Sequence, residues 1–140
     1  MRKAGAPIST IHLVGGTAFT AVNFGLAIWA WLAYRRKRPA VPARYWTWLR
    51  VSAGLFAFEV LTGLILLLMG YRFPTWLHAM YAAFILVAVG GQEMLRPGAN
   101  LRRVLTESMP SFNEPYWFAW LALLNAVFGL RQVMTGILGF

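Results

Sequence analysis

The stretch "YWTWLRVSAGLFAFEVLTGLILLLMG", residues 45–70, is apolar almost from end to end, with Arg50 near one end and one carboxylate, Glu59, inside. About 20 apolar residues suffice to cross a hydrocarbon core of roughly 30 Å as a helix. In lipid every backbone N–H and C=O must be bonded within the segment, which for such a run means a helix. Residues 45–70 are therefore predicted to span a membrane. Glu59 lies eleven residues from the Gly70 end, or about 16 Å deep at a rise of about 1.5 Å per residue.

The same reading extends along the chain. Apolar segments of similar length cover residues 10–34, 75–95 and 115–139. Of the 140 residues 59% are hydrophobic and only 12% charged, where a soluble domain has roughly a quarter charged. The predicted fold is all-α: one up-down-up-down four-helix transmembrane bundle over residues 1–140. The first segment is too long for the apolar region of a cleaved signal and is expected to stay as a helix. With no cysteine, disulfides, thiolate metal sites and thiol redox chemistry are excluded. The net charge of +9 flanks the apolar segments, which argues for a membrane surface and against nucleic acid as the partner.

The connections give a topology. "RRKRPAVPAR" (35–44) is basic and broken by proline. "GYRFPT" (70–75) is short and predicts a tight antiparallel hairpin of the second and third helices. "RPGANLRRVLTESMPSFNEP" (96–115) is long enough for a surface helix at Leu101 to Glu107, and Thr75 and Asn113 are the expected N-caps. Arg35, Arg36, Lys37, Arg38, Arg44, Arg50, Arg96, Arg102 and Arg103 fall on one side, and Arg2, Lys3 and Arg72 on the other. The positive-inside rule then places both termini outside a bacterial cytoplasmic membrane. Trp46, Trp48, Trp76 and Trp117 sit where an aromatic belt belongs. No strong internal repeat is read, although a pair of up-down hairpins is a conceivable ancestry.

Polar residues inside the spans are the candidate site, because intramembrane ionisable groups are costly and usually functional. Glu59 and Arg131 fall at similar depth, which suggests an ion pair between the second and last helices. The two histidines, His12 and His78, begin the first and third helices from the same side. Those helices are diagonal in a simple bundle, so inward imidazoles can ligate one haem iron from both sides. Gly15 and Gly16 would leave room for a flat macrocycle. Tyr81, one turn below His78, would bond a ligand or propionate, and Arg131 and Arg72 would neutralise propionates. Asn23 and Asn125, also at similar depth, predict an interhelical amide bond. Ser52 and Thr62 can bond their own helix, and Gln92 and Glu93 are expected in solvent beside Arg96. Two histidines without a carboxylate motif are poor evidence for zinc.

"WLHAMYAAF" (76–84) resembles the LHxxYG motif of a family of small four-helix bacterial membrane proteins. "FGLRQVMTG" (128–136) resembles the same family's GLxxRxxxTG-like ending, with Arg131, Thr135 and Gly136 matching. Glu59 and His12 match an acidic residue in its second helix and a histidine in its first. Ala82 stands where the motif has glycine and adds a methyl beside His78. The resemblance implies a coupled set of His12, Glu59, His78 and Arg131 without naming its chemistry. The layout is also similar to the general plan of membrane b-type cytochromes, an analogy of fold alone.

The preferred expectation is a redox-associated membrane subunit holding haem b between His12 and His78, tuned by Glu59 and Arg131. It would pass single electrons inside a larger respiratory or photosynthetic complex, with partner subunits, and would not be an enzyme on its own. Two alternatives remain: a cofactor-free accessory subunit whose polar groups fix helix order, and an enzyme or carrier for a quinone or lipid, with Glu59 handling protons.

Overall fold

The computed structural model describes residues 6–73, 75–109 and 111–138. Within them lie five helices: α1 (Ala6–Arg35), α2 (Ala43–Leu68), α3 (Trp76–Met94), α4 (Asn100–Ser108) and α5 (Glu114–Leu138). All but α4 are long and apolar enough to cross a membrane. Large apolar side chains such as Val14, Ile28, Leu61, Leu68 and Val87 point outward. An exposed apolar surface of this extent belongs in lipid. The protein is a multi-pass helical bundle whose four spans match the segments read from sequence.

The helix ends follow local chemistry. At the end of α1, Arg38 N–H bonds Ala33 C=O at 3.0 Å, with Lys37 in the left-handed region at φ 53°. At the end of α2, Tyr71 N–H bonds Leu66 C=O at 3.0 Å, and Gly70 takes φ 85°. Both are Schellman-type stops, which need a left-handed residue and are cheapest with glycine. Asn113 caps α5 as predicted, its Oδ1 accepting Tyr116 N–H at 3.1 Å. Thr75 occupies the N-cap of α3, but its side chain makes no cap bond.

The helices are ordered α2, α1, α5, α3, each packed on the next. The tightest seam is α1 on α5. Ala27, Ala30 and Ala33 of α1 and Ala119, Ala122 and Ala126 of α5 are all buried. Small residues let backbones approach, which is the main source of helix adhesion in lipid. Gly129 continues the stripe: a Cβ there would stand 2.6 Å from Thr20 Oγ1.

The predicted tight hairpin of α2 and α3 is corrected. The loop between them is short, yet the two helices barely touch. They diverge because each packs on its own partner, α2 on α1 and α3 on α5, leaving a gap on that side of the bundle. α1 and α3 remain diagonal, as expected.

At the basic end of the bundle the predicted surface helix forms as α4. Its Leu101 and Leu105 pack on the core beside Tyr45 and Phe118. Arg102 of α4 pairs with the buried Glu114, whose Oε1 also accepts Val41 N–H at 2.9 Å. One carboxylate thus ties together the α1–α2 loop, α4 and the start of α5.

Candidate functional site

The opposite end, where α1 and α3 begin and α2 and α5 finish, carries both histidines. His12 Nδ1 lies 2.9 Å from Thr62 Oγ1 and 3.1 Å from Glu59 Oε2, both on α2. The Thr62 hydroxyl has a single proton, which it gives to its own helix, at 3.0 Å from Phe58 C=O and 3.1 Å from Glu59 C=O. Its oxygen is then an acceptor for the imidazole, as is the carboxylate. The tautomer that satisfies both oxygens carries the His12 proton on Nδ1, and in the neutral ring Nε2 then keeps a lone pair.

His78 repeats the arrangement on the other hairpin. Its Nδ1 lies 3.1 Å from Thr135 Oγ1 of α5, and Thr135 donates to Gln132 C=O at 2.9 Å. His78 is likewise protonated on Nδ1. The Gln132 amide approaches His78 Nε2 across 3.5 Å, a long and weak contact. The two imidazoles have their centroids 6.1 Å apart, with planes at 48°.

Helix spacing explains the convergence. Glu59, Thr62 and Gly63 of α2 stand three and four residues apart, on one face. A Cβ at Gly63 would lie 3.3 Å from His12 Cε1, and a Cβ at Gly15 would overlap Glu59 Oε1. Gly15 and Gly63 leave space for the His12–Glu59 pair, a role not read from sequence. Glu59 is 6% exposed, and its Oε1 has no partner among the described residues.

The match between the halves goes further. "EVLTG" (59–63) and "QVMTG" (132–136) place a threonine and a glycine in register behind each histidine. Ser52 lies ten residues before Thr62, as Asn125 does before Thr135. Ser52 Oγ accepts from Asn23 Nδ2 at 2.7 Å, and Asn125 Nδ2 donates to Gln92 Oε1 at 3.0 Å. Hairpins α1–α2 and α3–α5 thus share a weak repeat, V-x-T-G with a polar residue ten positions before the threonine, but it is inexact, because Asn23 follows His12 by eleven residues and Gln92 follows His78 by fourteen. Asn23 and Asn125 do make interhelical amide bonds, but each with its own hairpin partner instead of with the other. Gln92, expected in solvent, is fully buried by its bond to Asn125.

A cavity of about 380 Å³ opens beside the imidazoles, walled by His12, Glu59, Phe73, His78 and Gln132, with Arg72 also on its lining. It lies among α1, α2 and α5, with His78 reaching its lining from α3. Of the residues predicted from sequence, the structure brings His12, Glu59 and His78 together. The Glu59–Arg131 pair does not form, because Glu59 turns to His12. Helical phase separates the two: Gln132, Val133 and Gly136 line the cavity, while Arg131 points off that face and is half-buried. Among the described residues the salt bridges are His12–Glu59 and Arg102–Glu114. Tyr81 also lies off the lining, its ring stacked on Phe128 with centroids 6.0 Å apart.

Chemically, the site offers two oriented imidazoles, a buried carboxylate and aromatic walls. Comparison with protein-family models, curated proteins and solved structures finds no match to the chain.

Proposed function

We propose that the protein is a membrane redox subunit that holds haem b between His12 and His78. The observation that carries this reading is the paired geometry of the two imidazoles. Two imidazoles ligating one metal from opposite sides, each at about 2.0 Å, have centroids roughly 6 Å apart, and these are separated by 6.1 Å. Both rings have Nδ1–H tied to an oxygen, the support that metal-ligating histidines typically have. The long Gln132 contact to His78 Nε2 would be released on ligation. The cavity among α1, α2 and α5 gives a hydrophobic group a place beside the imidazoles, and Arg72 on its lining is the cation available to a propionate.

Bound haem would supply one-electron transfer. The protein's residues would fix the iron's ligands, exclude water from one side and set the local field through Glu59. Such a subunit would exchange electrons with partner subunits of a respiratory or photosynthetic complex. It would sit in a bacterial cytoplasmic membrane with both termini outside, as the distribution of arginines indicates.

The test is an absorption spectrum of the protein in mild detergent, oxidised and then reduced with dithionite. A sharp Soret band with resolved α and β bands, lost in His12→Ala and in His78→Ala, is the expected result. A protein that stays colourless when haem is added overturns the reading.

A second reading rests on Phe19, Phe56 and Phe73, which line the cavity beside Glu59 and the imidazoles. A quinone ring would stack on them and accept hydrogen bonds at its carbonyls. Quinone recovered by solvent extraction from a colourless preparation would favour it.

A further inference from the structure

A second concavity lies far from the histidines, on the lipid-facing side of the α1–α5 seam. Its volume is about 360 Å³. The buried Ala27 and Ala119 form its floor, and the outward-standing Ile28, Trp31 and Trp120 form its walls with the half-buried Leu123. Small residues below and large ones at the sides make a trough. On α1 it runs from Phe24 to Leu32, about 12 Å at a rise of about 1.5 Å per residue. That is close to the depth of one leaflet, half of a roughly 30 Å core.

The trough ends at positive charge. Phe24, Ile28, Trp31 and Arg35 follow the spacing of a single helix face. Arg35 therefore stands at the trough's end, and the exposed Arg36, Lys37 and Arg38 follow it. Neither salt bridge among the described residues involves any of these cations. Rings frame the same end: Trp31 on Tyr34 at 5.3 Å, Tyr34 on Tyr116 at 5.4 Å, and Tyr116 on Trp120 at 6.4 Å between centroids. Tryptophan and tyrosine are enriched at headgroup level, where this frame would lie.

We propose that this groove binds an acidic phospholipid, with one acyl chain in the trough and the phosphate held by Arg35 and its neighbouring cations. An acyl chain can lie along an apolar trough of this length. A second copy of the chain does not, because a helix needs a flat stripe of small residues to pack, and here Trp31 and Trp120 stand up on either side. The uncompensated positive charge selects an anionic headgroup over a zwitterionic one. The proposal is independent of what the histidine cavity holds.

Native mass spectrometry of the detergent-solubilised protein tests it, with dioleoyl phosphatidylglycerol and dioleoyl phosphatidylcholine as probes. Each engaged cation should favour the anionic lipid by roughly fivefold, corresponding to about 1 kcal/mol. Arg35→Gln with Arg36→Gln should bring phosphatidylglycerol down to the phosphatidylcholine level. Ala119→Leu, which fills the floor, should lower retention of both lipids. If that variant does not fold, the exposed arginine pair carries the test alone. Equal retention of the two lipids by the wild type overturns the proposal. So does a preference that survives loss of both arginines, or a dimer that buries the groove and excludes lipid.

Discussion

Thr62 and Thr135 occupy equivalent positions in the two hairpins, and each accepts the Nδ1–H of one histidine, at 2.9 and 3.1 Å. The equivalence is incomplete, because His12 also has Glu59 at 3.1 Å, whereas Gln132 holds the corresponding place beside His78. Thr135→Val should therefore weaken haem binding more than Thr62→Val does. Loss of such outer support costs about 10–100-fold in metal affinity, with Thr135→Val expected at the upper end and Thr62→Val at the lower. A haem titration followed at the Soret band measures both, and the reverse order would contradict the assigned partners.

Glu59→Gln makes the first hairpin resemble the second at this position. The amide keeps the shape that Gly15 accommodates, and Thr62 still orients His12. The variant should fold normally and bind haem within about tenfold of wild type, since the smaller losses of outer support are of that order. Helicity by circular dichroism and the same titration check it. A variant that fails to fold would show that the α1–α2 pairing needs the carboxylate itself and not only its shape.

Gly129→Ala should damage the α1–α5 seam. The new methyl would meet Thr20 Oγ1 at 2.6 Å and the Phe19 ring at 3.2 Å. Overpacking of this kind costs about 1–3 kcal/mol, and Thr20→Ala in the same chain should restore part of it. Gly136→Ala, with nothing within 4 Å, is the control and should leave the thermal midpoint in detergent unchanged or slightly raised.

Glu114→Ala should cost more than Arg102→Ala. The first leaves Val41 N–H and the Arg102 guanidinium without their acceptor, at about 1–3 kcal/mol for a buried group stripped of its partner. The second leaves Glu114 bonded to Val41, and Arg102 is about a quarter exposed in any case. Thermal unfolding ranks the two, and equal losses would indicate that the Val41 bond contributes nothing.

The spans were legible because length and hydropathy state them directly, and the cap at Asn113 followed from its side chain. Helix phase and neighbour order were not. The depth of Glu59 fits Arg131 as well as it fits His12, and only rotation about the helix axis separates the two. The short 70–75 loop suggested a packed pair, but the alanine stripes on α1 and α5 decide which helices adhere. The partners of His12 and His78 were hidden in a few common residues: V-x-T-G is too brief to stand out within apolar sequence until the fold sets the copies side by side.

The two hairpins would form two alike interfaces if the repeat were exact, yet α1–α5 is sealed by alanine and glycine while α2 and α3 stand apart. The sealed side is held by close packing of small side chains on one another. The molecule is consequently built like a clip, with a fixed spine and a free edge.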